Sequence, residues 1–600
     1  MTPDLVKRFV TSYLVNLKER TRSEKSGVKW GIDWVIYNLG LSLRGKPVRL
    51  PFLRQAKDAA MKTKSEAEFG VDLAFLSPDR NRLTIFVLKD EALTNRTWTA
   101  NGFYEDLCKA VTPDLSAEGL DSVNVVEVIL AYNRDEEANG VTLFERFVAA
   151  AALKIAERAT LSISRWNLSE LVELTLAHLL TPALLPQEFF GQLNYLCSQF
   201  ADFPHGSDEW EQQLVPAWKR FLNDVLAQDP SVRGVSLVPV ALIIMRQHGA
   251  ANETLETGWI DIIEWSAIAM WRKFSESDDA TTRGTVVVFW EKFYLDELER
   301  FYRAHIDALA TEHAIDQIAH GSMVGVVAAS AIAYWHLGRL GILSLGLSQL
   351  ISEEGKAKTA QRREALNDVA NWTVRVFNTN DAALRPLLDI HHIELGLLPI
   401  TFSNANRLAD LGPIFLELIQ RLCLRRVEIG EIPFPDGYNS LENVFEQVAS
   451  GNREKLVMAQ SSFLVLMLME MCLLFGKADR DSLVAMIHRR LVLGDTGSPR
   501  SQETKPLTLI SWIPPEGWDT RILKGPVEDG DVITCGPFSN DPDATAEQII
   551  LAMKSLVNKM RATGRQPDKL AIPLGPLVLA SIRHKSPLIP EVWRAAAFPE

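Results

Sequence analysis

The chain has 600 residues, 47% of them apolar and 23% charged, and a net charge of −13. This length is too great for one hydrophobic core and the composition is too apolar for a disordered chain, so about two to four folded domains are expected. The five cysteines, Cys108, Cys197, Cys423, Cys472 and Cys535, are far apart and form no CxxC pair, which excludes a zinc-ribbon spacing and a disulfide framework and makes a reducing cytoplasm the expected compartment. The first residues, Met-Thr-Pro-Asp-Leu-Val-Lys-Arg, lack the apolar run and small-residue cleavage site of a secretory signal.

Charge is distributed unevenly. Through Lys64 there are fourteen Lys and Arg against five Asp and Glu, a balance of +9, so the remaining residues carry −22. A basic face on an acidic protein suits a phosphate backbone approached from one side, and neutralised phosphates release counterions. The other reading is a solvated lysine-rich surface without a ligand.

Along the chain, residues 5–20 bring Phe9, Tyr13 and Leu17 round at intervals of four, which predicts an amphipathic helix. Trp30 to Leu43 predicts a second helix, Gly45-Lys-Pro a turn and residues 52–64 a short basic helix. Val71 to Leu76 and Leu83 to Leu88 flank a polar turn and predict a β-hairpin. Asn101 to Val111 has helical spacing, the β-branched run from Val123 predicts the strongest strand, and Leu143 to Ala159 predicts an alanine-rich helix. Leu161 to Trp166 alternates as a strand, and Asn167-Leu-Ser-Glu170 opens a helix with a capping box.

From Pro182 to Leu493 long helical segments dominate, with no fixed repeat period. Met323 to Ile351 and Phe463 to Phe475 are apolar, but the first holds His336 and Arg339 and the second holds Glu470, so both are expected as core helices and no membrane span is expected. Residues 495–506 read as a linker and 507–600 as a small module of strands and a helix.

The elements of the first 180 residues resemble the restriction-endonuclease-like superfamily, the PD-(D/E)xK nucleases, and within it Mrr-type restriction enzymes. The resemblance rests on Gly70-Val-Asp72, Phe86-Val-Leu-Lys89, the Val-Ile-Leu-Ala-Tyr strand and Ile163 to Leu171. The fold class expected is therefore an α/β restriction-endonuclease-like domain over 1–180, a large all-α domain over 181–494 for sensing, scaffolding or partner binding, the linker, and a small C-terminal α/β module.

In that superfamily the first strand supplies an Asp, and the next an acid, or Gln, followed two residues later by Lys. Carboxylates hold Mg²⁺ and the lysine stabilises developing charge or positions the attacking water. Asp72 and Lys89 match the pattern, but Val87 stands at the acid position. Three acids are candidates to replace it: Glu91, on the parity of Lys89 if the strand continues; Glu105, on the following helix, where the superfamily sometimes moves its acid; and Glu68. Glu105 is preferred, making Asp72 and Glu105 the expected Mg²⁺ ligands. Alternatively, Asp72 only caps a turn and Lys89 is a solvated charge at a strand end.

DNA contacts are expected from Arg44, Lys46, Arg49, Arg54 and Lys57. The function this implies is a DNA-binding, nuclease-like component of a bacterial restriction or anti-phage defence system that works with partner proteins and cuts DNA with Mg²⁺. The alternative is a nuclease fold that has lost hydrolysis and serves as a scaffold or DNA sensor. His391-His392-Ile-Glu394 lacks the spacing of a zinc helix, the tryptophans from Trp259 to Trp271 read as core, and no GxxxxGK[ST] is present, so no ATP site of that kind is expected.

Overall fold

The computed structural model describes residues 3–17, 31–48, 72–113, 115, 119–152, 159–228, 231–249, 256–319, 322–351, 356–427, 441, 444–445, 461–495, 506–527, 529–535, 541–561, 570 and 572–597. The chain divides into two compact units, Met1–Ser266 with Ser277–Phe289, and Ala267–Glu276 with Trp290–Glu600.

The first unit is built on a five-stranded sheet of order β1-β2-β3-β4-β5. Its strands are β1 (Lys46–Pro47), β2 (Leu73–Leu76), β3 (Arg82–Lys89), β4 (Val125–Tyr132) and β5 (Thr160–Trp166). β1 pairs antiparallel with β2 and β2 with β3, whereas β4 lies parallel to β3 and β5 parallel to β4. A short turn can join antiparallel strands, but each parallel step needs a crossover. The helices α3 (Asn95–Ala100) and α4 (Phe103–Ala110) supply the first crossover and α5 (Ala138–Ala152) the second. The predicted hairpin, central strand and following strand are therefore present. The predicted basic helix at 52–64 lies outside the described residues.

The two sheet faces are different. Ala74, Leu76, Leu83, Ile85, Val87, Val128 and Leu130 join Trp98, Phe103, Leu107, Phe144 and Phe147 in one buried cluster beneath α3, α4 and α5. The opposite face carries Phe75, Phe86 and Trp166, with ring centroids 5.8 Å and 5.1 Å apart along the row. The helix α2 (Ile32–Leu43) covers this face through Gly40, where a Cβ would fall 2.3 Å from the Phe75 ring. Only glycine permits that approach.

Two end contacts fix the helices. The helix α1 (Pro3–Val15) leaves its last carbonyls for the residues just after β4 to satisfy: Asn133, fully buried, donates to the Leu14 and Leu17 carbonyls at 2.6 Å each, and Arg134 donates to that of Val15. The helix α6 (Leu168–His178) starts on the predicted capping box, with the Glu170 amide 3.0 Å from Asn167 Oδ1 and the Asn167 amide 3.1 Å from Glu170 Oε2.

The second unit is mostly helical. Among the described residues one helix is long and apolar enough to cross a membrane, Val324–Leu350, and 72% of an 18-residue apolar window within it is buried in the protein. The small sheet near the C-terminus has order β6-β7-β8: β6 (Ser461–Ser462) runs parallel to β7 (Thr508–Ile513), which pairs antiparallel with β8 (Asp531–Thr534). Strand β7 is thus joined to the segment before residue 495, across the expected linker, of which residues 496–505 lie outside the described set.

A buried ion pair ties the same regions together. Glu470, with no exposed surface, accepts from Arg594 Nη2 at 2.7 Å and from Trp593 Nε1 at 2.8 Å, and Arg594 Nη2 also donates to Ser511 Oγ at 3.0 Å. Removing one partner of a buried pair strands the other charge, at a cost of roughly 3–5 kcal/mol. Glu470→Leu should lower the unfolding midpoint of this unit strongly, and Glu470→Leu with Arg594→Met should restore much of the loss, as measured by denaturant unfolding.

Candidate functional site

Strand β3 is buried at every residue from Leu83 to Leu88, and burial relaxes only at its two ends, Arg82 and Lys89. Strand alternation places Lys89 on the face of Ile85 and Val87, the face covered by α4. Its ammonium meets Asp106 Oδ2 at 2.7 Å, lies 5.7 Å from the centre of the Phe103 ring, and keeps only 13% side-chain exposure. The turn into α4 makes this possible: Gly102 has φ +74°, and a Cβ there would stand 3.5 Å from Asp106 Oδ2 and 3.9 Å from Lys89 Nζ.

Asp72 sits just ahead of β2 and is half-buried. Its amide donates to the Phe86 carbonyl at 3.0 Å, and its Oδ2 accepts the Leu88 amide at 2.7 Å. Since Leu73 pairs with Phe86, Asp72 lies against the stretch of β3 that holds Val87 and runs into Lys89. Val87 itself is fully buried in the apolar cluster.

The proposed substitute acids are placed differently from one another. Glu105 faces away from Lys89: its carboxylate is 71% exposed, pairs with Lys109 at 2.7 Å, and is held below the usual range by that hydrogen bond. The neighbouring Asp106 takes the position expected of Glu105. Glu91 lies beyond the end of β3, which stops at Lys89, and accepts from Asn101. Glu68 lies outside the described residues.

Helix phase explains the one-residue difference. Phe103, Leu107 and Ala110 form the buried stripe of α4, and Asp106 belongs to the same i, i+3, i+4, i+7 set, whereas Glu105 does not. That spacing was available in the sequence.

Further polar groups gather where the parallel strands end. Tyr132, the register partner of Lys89, donates to Glu136, and burial raises its phenol above the usual range. Glu136 also accepts from Arg165 Nε of β5 at 3.2 Å. Ligands of open α/β sheets commonly bind beyond the carboxyl ends of the strands. The sequence reading did not single out Tyr132, Glu136 or Arg165, because their partners come from separate strands.

The expected DNA contacts separate. Lys46 is exposed on the edge strand, but Arg44 turns inward to Glu127 at 3.2 Å and lies 5.7 Å from the Trp166 ring centre. Arg49, Arg54 and Lys57 lie outside the described residues.

For Mg²⁺, the donor chemistry fits: one or two carboxylates commonly hold this ion, with substrate phosphates and water completing its shell, and Asp72 and Asp106 are of that kind. No group of three or more His, Cys, Asp or Glu side chains arranged for a metal occurs among the described residues. His391 and His392 instead serve the core. His391 stacks on Tyr334 with centroids 4.1 Å apart and accepts from the Leu387 amide, while His392 shares a 2.9 Å hydrogen bond with the Asp389 carbonyl. Burial pushes their imidazoles down to about 3 and about 4, so both are neutral near pH 7.

A double-mutant cycle tests the Lys89 partner. Lys89→Met and Asp106→Asn should show a coupling of about 1 kcal/mol in denaturant unfolding, whereas Lys89→Met and Glu105→Gln should couple much more weakly.

Comparison of the chain with models of protein families, with curated proteins and with solved structures finds no match in any of the three.

Proposed function

We propose that the N-terminal part is a restriction-endonuclease-like module that binds DNA, and that the chain is a nuclease-like component of a bacterial restriction or anti-phage defence system. The observation that carries this reading is the end of β3. Lys89 emerges from a run of six buried strand residues, meets a carboxylate supplied by the next helix, and shares a sheet face with the segment against which Asp72 is fastened. The sheet order, an antiparallel hairpin followed by two parallel strands, supports the same resemblance.

In this reading Asp72 and Asp106 are the residues that would hold Mg²⁺, which when bound supplies positive charge to the phosphate oxygens. Lys89 would exchange its contact with Asp106 for the developing negative charge of the phosphate, or orient water toward it. Tyr132 remains protonated and can donate a hydrogen bond nearby. The exposed Lys46 belongs to the backbone-contacting surface. Arg44 instead stabilises the sheet through Glu127, so its replacement would weaken folding before it weakened binding.

A second reading, a DNA-binding scaffold without hydrolysis, has its own support. Val87 replaces the motif acid with a side chain that has no exposed surface, one oxygen of Asp72 is occupied by the Leu88 amide, and Asp106 is neutralised by Lys89. Both readings place protein partners around the helical unit.

Duplex binding by fluorescence anisotropy and nicking of supercoiled plasmid with Mg²⁺ or Mn²⁺ separate the two. Cleavage lost by roughly 100-fold or more in Asp72→Ala and Asp106→Asn, and retained in Glu105→Gln, supports the nuclease. Salt-dependent duplex binding without cleavage, unchanged in Asp72→Ala, supports the scaffold. Absence of binding at low salt rejects both.

A further inference from the structure

The second unit holds a polar cleft that the nuclease reading leaves without a role. The helices Leu295–Leu309 and Lys356–Thr379 both line it, and it encloses about 470 Å³. Its walls are Lys292, Asp296, Glu299, Arg300 and Arg303 on one side and Gln361, Arg362 and Ala365 on the other. On the first side the residues fall at i, i+4, i+7, i+8 and i+11, which gathers them on a single helix stripe. On the second, Arg362 and Ala365 stand three apart, and Ala365 is buried and short, so it adds no bulk.

Four cations therefore face two carboxylates. Two of the arginines are also held by carboxylates, one of which, Glu299, shares the cleft wall. Glu297, only 3% exposed, accepts from Arg300 Nη2 at 3.1 Å. Arg303 Nη2 lies 2.9 Å from both Glu299 Oε1 and Asp368 Oδ2, and its guanidinium carbon is 5.6 Å from the centre of the Trp372 ring. Carboxylates and an aromatic plane that orient guanidinium groups reduce the entropy lost when those groups meet an oxyanion. Lys292 lies within a π-helical turn, Trp290–Tyr294, that leads into the helix Leu295–Leu309. Such turns widen the helix locally and recur at functional sites.

We propose that this cleft binds a phosphate-bearing small molecule of nucleotide size, giving the helical unit a ligand to sense. The volume falls in the range of small-molecule sites, and the charged walls disfavour an apolar ligand. Arginine forks match phosphate oxygens in pairs, and Gln361 offers an amide able to donate and accept. No glycine-rich phosphate loop is involved. The binding is carried by side chains, which is why the sequence motifs for nucleotide sites do not reveal it.

Isothermal titration of the full chain with ATP, inorganic triphosphate and adenosine tests the proposal. ATP should bind with a Kd below about 1 mM and adenosine should not; triphosphate matching ATP would identify the phosphates alone as the recognised group, and weaker triphosphate binding would identify a nucleotide. Lys292→Glu with Arg362→Glu should weaken binding at least about tenfold at a temperature where circular dichroism shows both chains folded, and Lys46→Glu should have no effect. If the charge-reversed chain does not fold, Lys292→Gln with Arg362→Gln should give the same direction of change. No ATP or triphosphate binding, or equal binding by the variants, overturns the proposal. So does a single-stranded oligonucleotide that binds through Lys292 and Arg362 when ATP does not. None of these results depends on whether the N-terminal part cuts DNA.

Discussion

The sheet of the first unit depends on the burial of β3. Six successive residues, Leu83 to Leu88, are inaccessible to water, with one set against α3, α4 and α5 and the other against α2. A carboxylate in the middle of such a strand would lose its hydration at a cost of several kcal/mol unless a partner were supplied. Val87 is the apolar solution to that constraint. Charge can enter only where the strand ends, Arg82 at its start and Lys89 at its carboxyl end. The acid that meets Lys89 must then come from outside the strand, from α4.

This arrangement separates what the sheet needs from what the proposed hydrolysis would need. The sheet needs the hairpin, the parallel crossovers and covered faces, and apolar packing supplies these together with Gly40, Asn133 and the α6 cap. Hydrolysis would need the Lys89–Asp106 contact to open, because each charge at present neutralises the other. A phosphate near Lys89 and a cation near Asp106 would do this together, each replacing one half of the pair. The proposed function therefore makes substrate and metal mutually dependent at this position.

Much of this was legible in the sequence. Alternation and β-branched runs marked β2, β3, β4 and β5, and Asn167 with Glu170 announced a capping box that forms as expected. Asp106 was also legible, since its spacing from Phe103, Leu107 and Ala110 puts it on the buried stripe. Glu105 matches the acid by residue type alone, since its helix phase puts it on the exposed face. Other features were not local. The inward turn of Arg44 depends on Glu127, a residue on a strand 83 positions away, and β6 is a two-residue strand that exists only because β7 lies beside it. The pairing of Glu470 with Arg594 spans 124 positions, and no single-sequence period encodes it.

The most direct test of the central claim is Mn²⁺ binding to the full chain by electron paramagnetic resonance, with and without a duplex oligonucleotide. The account predicts that duplex strengthens Mn²⁺ binding and that Asp72→Ala and Asp106→Asn each abolish the gain, while Glu105→Gln preserves it. Mn²⁺ binding that duplex leaves unchanged, or that survives both aspartate substitutions, would contradict it.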